Sequence, residues 1–513
     1  MSNRVKRLQA SLDPATELWS CPRMRLVVAT FLLLTGRMAL ADGTTASPLL
    51  PPDHWAVKAA DRLEELGLLD HYMPAQRAVP LVDVAAAFVE GERHAQESHP
   101  ELVRIIRTWR ERLGREWSGA FTQPRSEARL LGARLGAGYQ GGVADEVNLG
   151  PSATGPSALH LEAPPSDPFA EGAGAVAYGS HLAASAEVHS TPWDVNLTGV
   201  ELVGALGSVE LSVGRGPIGY GPNEVGGVTM SGIAIMDRAE FRTNTPFRLP
   251  GFLGVLGDFT VDLALAHFNE PRHPYHPFLL DAQVQWRPES RLTFAVIHGF
   301  MFGGALWNGI SFGHAALALT AMSNYSGNNV DSASVRYRLP TEAFLPLTAK
   351  VELGTDDNPG AAITWPGLVA GVTAPMLPVL SAAFGFEFAF FGHFITIGSG
   401  HIPFAWYAHS QYTGGWATGE TPLGDPLGGE GRAFRLIASA DPVPEIHLSA
   451  IAWAQDRFAH NNYAPMAAGQ SVGLSGDADL RLGCWGLDLK GLYERGAEGW
   501  KRSAVEVGAS VFF

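Results

Sequence analysis

The chain has 513 residues, with 36 Lys+Arg against 51 Asp+Glu and a formal net charge of −15. That balance disfavours nucleic acid as a partner, because a phosphate backbone needs a basic footprint. Hydrophobic content is 46% and mean hydropathy +0.05, yet no internal run reaches the ~18 apolar residues of a membrane-crossing helix, which excludes an α-helical membrane protein.

At the N-terminus Arg23 and Arg25 precede the apolar run Leu26 to Leu34, and Ala39-Leu40-Ala41 supplies a small-x-small cleavage site. This pattern predicts a secretory signal peptide over residues 1–41, with Met24 as an alternative start. Of the two cysteines, Cys21 and Cys484, only Cys484 would survive processing, so no intrachain disulfide or thiolate metal site is expected. Cys484 follows Leu480 and Leu482 on one parity and reads as a small apolar wall residue.

Residues 42–125 read as a small periplasmic helical bundle. Asp53 caps a pattern from His54 to Leu66 with Trp55, Ala59, Leu63 and Leu66 on one face. A second helix follows Val79-Pro80, with Val84, Ala87, Phe88 and Gly91 aligned. A third follows Pro100, where Leu102, Ile105, Ile106, Trp109 and Leu113 oppose a polar face that includes Arg112. The Pro52-Asp53-His54-Trp55-Ala56 segment, with Leu66-Gly67-Leu68 and Pro80-Leu81, resembles half of an S-layer-homology unit. A single weak copy weighs less than a plain helical plug.

From 126 to 513 helical periodicity gives way to alternation. Phe259, Val261, Leu263 and Leu265 share one parity, and Thr260, Asp262, Ala264 and Ala266 the other. After a proline-rich loop, Leu280, Ala282, Val284 and Trp286 alternate with Asp281, Gln283, Gln285 and Arg287, and a tight turn leads to Leu292, Phe294 and Val296. Further alternations cover 175–185, 201–214, 384–397 and 445–455, and Asp441-Pro442-Val443-Pro444 reads as a turn that ends a ladder. Long connections at 141–170, 299–329 and 408–431 alternate with short ones, as in a transmembrane barrel. At roughly 20 residues per strand and connection, the segment accommodates about eighteen antiparallel strands. The fold class expected is thus an all-β transmembrane barrel with a small N-terminal α-helical periplasmic domain. The last strand carries Val505, Val507, Ala509, Val511 and Phe513 on one face, opposite Glu506, Gly508 and Ser510. An apolar last strand ending in Phe, with Val511 and Phe513 at its tip, resembles the assembly signal of Gram-negative outer-membrane proteins. It implies the barrel assembly machinery and outer-membrane lipid as partners.

A family resemblance runs through the same region. Arg215-Gly216, then Tyr220-Gly221-Pro222, a Leu-Pro-Gly-Phe-Leu-Gly-Val-Leu-Gly-Asp-Phe run and the strand ending Trp286-Arg287-Pro288 resemble the Wzi-type capsule assembly outer-membrane proteins. Tyr407-Ala408-His409-Ser410, Tyr412, Gly414 and Pro422-Leu423-Gly424-Asp425-Pro426-Leu427-Gly428 agree in the same order. The likeness spans roughly Val209 to Leu436. It implies a monomeric, non-catalytic barrel in the outer membrane of a Gram-negative bacterium, binding and attaching or organising capsular or extracellular polysaccharide. A porin or substrate channel is the alternative on the same fold.

Candidate polysaccharide-binding residues are Arg215, Tyr220, Asn223 and Glu224 from the family-like motif, with Trp307, Tyr325, Trp406, Tyr407, Tyr412 and Trp416 from aromatic loops. Aromatic faces stack on sugar rings and amide or charged ends bind hydroxyls, although barrels also place Trp and Tyr in interfacial girdles. Other motifs have bland readings. Gly214-Arg215-Gly216-Pro217-Ile218-Gly219 spells a dinucleotide fingerprint, but the prolines forbid the helix that fingerprint requires, leaving a Gly-rich bend at a strand end. Asp356-Asp357-Asn358 lacks the ligand spacing of a calcium loop. His273 and His276, or His393 and His401, lack the carboxylate partner of a zinc motif. Ser410 beside His409 is no paired nucleophile. No cofactor or metal is expected, and no catalytic residue.

Overall fold

The computed structural model describes residues 46–513 apart from 51, 53, 75–77, 118, 122–125, 143–167, 270–271, 305–326, 343, 357–365, 378–380, 393–405, 409–411, 413, 419–420, 444 and 459–468. Eighteen antiparallel strands close into one barrel. In chain order they are β1 Glu127–Gly142, β2 Pro168–Tyr178, β3 Leu182–Ser190, β4 Val195–Leu206, β5 Val209–Gly219 and β6 Ser231–Thr243. Next come β7 Asp258–His267, β8 Phe278–Glu289, β9 Leu292–Phe302, β10 Asn328–Arg338, β11 Thr348–Asp356 and β12 Gly367–Leu377. The circuit ends with β13 Ala382–Phe391, β14 Gly431–Val443, β15 Ile446–Arg457, β16 Gly469–Leu482, β17 Trp485–Gly496 and β18 Lys501–Phe512. Closure comes from β18 pairing with β1, with Val511 opposite Ala133 and Glu506 opposite Gly138.

Period-two alternation sorts the side chains. In β7 and β8, Thr260, Asp262, Asp281, Gln283, Gln285 and Arg287 are buried in the lumen, while Leu265 and Val284 are exposed on the outer wall. In β18, Val505 and Val507 face outward and Glu506 and Ser510 inward, as the sequence pattern predicts. The expected ladders at 175–185 and 201–214 each straddle a hairpin, since apolar alternation runs unbroken through a two- or three-residue turn. At Asp441-Pro442 the ladder does not stop: it absorbs the proline in a register shift between Ala440 and Val443. Gly214–Gly219 lies within β5 as strand, not as a bend after it. Cys484 sits exposed in the turn after β16, off the wall.

Three helices fill the end of the lumen where the turns are shortest: α1 Trp55–Glu65, α2 Leu81–Ser98 and α3 Val103–Glu116. The cap of α1 is His54, whose ring accepts the Ala56 N–H at 3.2 Å; Asp53 lies outside the described residues. Leu63, Phe88, Ile106, Trp109 and Leu113 form its core, with Met376 contributed by the wall. One flank of the polar surface meets the lumen wall, while Arg107, Arg110 and Arg115 of α3 stay exposed. Arg112 is therefore buried, stacked 4.3 Å over the Trp55 ring and bonded to Glu116. Lumen arginines grip the plug from the other side: Arg336 and Arg287 meet Glu64, Arg481 meets Glu116 at 3.1 Å, and Arg242 donates to the Ala78 carbonyl. Asp441 gathers Trp109, Arg62 and His447.

Candidate functional site

At the opposite, long-loop end lies a second core, built inside the lumen from two distant segments. One is the connection 220–230 between β5 and β6; the other is the described part of 406–430 between β13 and β14. Tyr220, Val228 and Met230 of the first pack with Trp406, Tyr407, Tyr412, Trp416, Leu423 and Leu427 of the second.

Tyr407 is the joint. Its hydroxyl donates to the Val228 carbonyl at 2.6 Å and accepts the Asp425 N–H at 3.1 Å, while its own N–H donates to Asp356 Oδ2 at 2.7 Å. The residue adopts φ +64°, a costly conformation for a side chain with a Cβ, and these three bonds hold it there. Burial first, and the nearby Asp425 charge second, push the phenol well above its usual pKa, so it stays a proton donor. Trp416 adds a bond from Nε1 to the Thr229 carbonyl at 2.7 Å. Gly424 permits the approach, since a Cβ there would lie 2.2 Å from the Tyr407 hydroxyl.

The buried backbone of 224–228 needs acceptors, and lumen-wall carboxylates supply them. Glu387 takes the N–H groups of Glu224, Val225 and Gly226 at 3.1–3.2 Å, and Glu352 takes that of Val228 at 3.1 Å. Arg435 donates both terminal nitrogens to Asp425 and reaches Glu387 at 2.7 Å. Glu224 extends inward to the helical plug: Lys350 bonds both Glu224 and Glu65 of α1 at 2.6 Å, and Lys58 of α1 lies 3.6 Å from Glu224. Burial opposes the Glu224 charge, but Lys350 and Lys58 outweigh it and hold the carboxyl well below its usual range.

The sequence candidates therefore separate. Tyr220, Asn223, Glu224, Trp406, Tyr407, Tyr412 and Trp416 come together, all inside the lumen; all but Glu224 are buried. The Asn223 amide has no hydrogen-bond partner among the described residues. Arg215 stands apart on the outer wall, 3.7 Å from Asp237 on β6. Trp307 and Tyr325 lie outside the described residues, as do His393, His401, His409 and Ser410. Asp356 serves as an acceptor for Tyr407. Sequence reasoning missed Glu387, Arg435, Lys350 and Glu65. A signal existed for two of them: Glu387 lies between Phe386 and Phe388, and Arg435 between Phe434 and Leu436. A charge flanked by two lipid-facing residues must face the lumen and have a partner there.

The family described as Capsule assembly protein Wzi matches residues 194–441, which contain both loop segments. No curated protein sequence matches the chain. Among solved structures, similarity is found to Wzi of Escherichia coli, an outer membrane protein involved in Group 1 capsule assembly and described as a carbohydrate-binding β-barrel. The TM-score is 0.70 at 13% identity, covering 91% of this chain and 100% of that one. OccK11 (OpdR) of Pseudomonas aeruginosa matches at TM-score 0.44 and 13% identity over 76% of this chain and 97% of its own. OccK3 (OpdO) of the same organism matches at 0.45 and 10%, over 75% and 96%. With the fold and the matched region in agreement, the chain is an outer-membrane β-barrel similar to the Wzi capsule assembly proteins, matching that family over residues 194–441.

Proposed function

We propose that this barrel binds capsular or extracellular polysaccharide and attaches or organises it at the cell surface, without catalysis. The observation that carries the reading is the second core. By joining segments 220–230 and 406–430 inside the lumen, it gives the long-loop end a braced floor in place of a channel mouth. Long loops of transmembrane barrels face outward and short turns face the periplasm. The helical segment within 42–125 then lies on the periplasmic side, and the floor lies toward the glycan. The carbohydrate binding described for the Escherichia coli relative supports the same direction.

Within this reading the buried aromatics Trp406, Tyr407, Tyr412 and Trp416, with Tyr220, Asn223 and Glu224, brace the floor. Trp307 and Tyr325, in the connection after β9, stack on sugar rings. Arg215, outside the wall, sits at the level of the surrounding lipid headgroups. Val511 and Phe513 serve recognition by the barrel assembly machinery.

The direct test is binding of purified full-length protein in detergent to polysaccharide extracted from the strain that makes it. Saturable binding, weakened at least tenfold by Trp307→Ala with Tyr325→Ala, is expected. Absence of saturable binding would remove the proposal.

A further inference from the structure

The helical plug carries a group of side chains that the glycan reading does not use. The chain leaves α1 at Leu66-Gly67 and turns back toward α2, and Asp70 and His71 lie in this turn. Glu90 and His94 lie one helical turn apart on α2, which places them on one face. One ligand atom each of Asp70, Glu90 and His94 falls within 4.8 Å of the others. His71 lies beside this group, its Nδ1 being 3.1 Å from Glu90 Oε1.

We propose that Asp70, Glu90 and His94, with His71 as a fourth donor, form a binding site for a borderline divalent transition ion such as Zn²⁺. Two carboxylates and two imidazoles are the donor set of such ions, whereas Ca²⁺ and Mg²⁺ prefer six or more oxygens. A site needs support as well as donors. Here the turn is pinned at both faces. Glu90 Oε1 accepts the Asp70 N–H at 3.0 Å, and His94 Nδ1 lies 2.9 Å from the Leu68 carbonyl, fixing its ring against the turn. From the barrel wall, Arg287 donates to the carbonyls of Asp70 and Tyr72. Among the described residues, Arg93 lies 3.2 Å from His94 Nε2 on the exposed side, and its charge, like that of Arg287, opposes the ion.

Bound here, the ion cross-links the α1–α2 turn to α2. Because Arg287 ties that turn to β8, the cross-link also tightens the plug against the wall. The inference is independent of what the long loops bind.

The test uses the untagged full-length protein in detergent, stripped with EDTA and titrated calorimetrically with Zn²⁺, and with Ca²⁺ and Mg²⁺ in parallel. One Zn²⁺ per chain at micromolar affinity or tighter is expected, with a higher Tm and no comparable Ca²⁺ or Mg²⁺ binding. His94→Ala and Glu90→Gln should each weaken Zn²⁺ at least tenfold. His99→Ala, at a two-residue His–Glu contact away from the site, should leave it unchanged. Heat-modifiable migration on gels reports that each variant still forms the barrel. No saturable Zn²⁺ binding, or binding unaffected by His94→Ala and Glu90→Gln, would overturn the proposal. Equal affinity for Ca²⁺ would overturn it too.

Discussion

The Tyr407 hydroxyl donates to the carbonyl of Val228 at 2.6 Å, joining residues 179 positions apart. This bond ties together the two stretches of chain that carry the family pattern. Replacing Tyr407 by Phe keeps the ring and removes the donor, leaving the Val228 carbonyl and the Asp425 N–H without this partner in a buried place. The cost is about 1–3 kcal/mol. We expect the barrel to form normally while limited proteolysis of the long loops becomes faster. Unchanged proteolysis would show that the bond does not hold the two segments together.

Gly424 tests the same joint by volume. A methyl there would meet the Tyr407 hydroxyl at 2.2 Å and the Val228 carbonyl at 2.7 Å, and the second of these is backbone that cannot swing aside. Gly424→Ala should lower the Tm further than Tyr407→Phe does, by an overpacking cost of about 1–3 kcal/mol. Scanning calorimetry of the two purified variants compares them.

Lys350 connects the two fillings of the lumen, since it bonds Glu65 of the helical plug and Glu224 of the loop core. Lys350→Met leaves the buried Glu65 without its cation, facing a half-buried Glu224 that keeps Lys58 at 3.6 Å. Breaking a buried pair in this way costs about 3–5 kcal/mol. In planar bilayers the parent protein should pass little current, and the variant should show frequent openings. A parent protein with steady porin-like conductance would contradict a lumen blocked from both ends.

Asp61 on α1 introduces a pH dependence. Burial raises its carboxyl to about 6, with Glu224 adding to the rise and Lys58 and the Tyr72 hydroxyl opposing it. The folded pKa lies above the ordinary value of 3.8, so the native state holds an extra proton between the two. The resulting stabilisation is complete below about pH 4 and is lost as pH rises through 6. Asp61→Asn removes this titration while keeping an acceptor for Tyr72. Its stability should exceed that of the parent by about 1–2 kcal/mol above pH 7 and converge with it near pH 4. Urea unfolding in detergent at the two pH values measures the difference.

Much of the barrel was legible because its code is local. Lipid on one side and a polar lumen on the other impose alternation on each strand, so the faces of β7, β8 and β18 follow from parity alone. Apolar stripes placed the three helices in the same way. The reading lost information where a rule assumed solvent. Arg112 was read as part of a polar face, but that flank of α3 meets the lumen wall while Arg107 and Arg110 stay exposed, and the residue stacks on Trp55. Asp441 looked like part of a turn and is instead the buried anion beneath Arg62 and Trp109. The candidate site was legible only as a set of residue types. That Trp406, Tyr407, Tyr412 and Trp416 turn inward depends on contacts with segment 220–230, and nothing in their own spacing encodes that partner.

The central claim is attachment of polysaccharide to the cell surface. It is tested most directly by deleting the gene and measuring how polymer divides between washed cells and medium. The account predicts a shift into the medium at constant total synthesis, reversed by the wild-type gene. An unchanged division between cells and medium would contradict it.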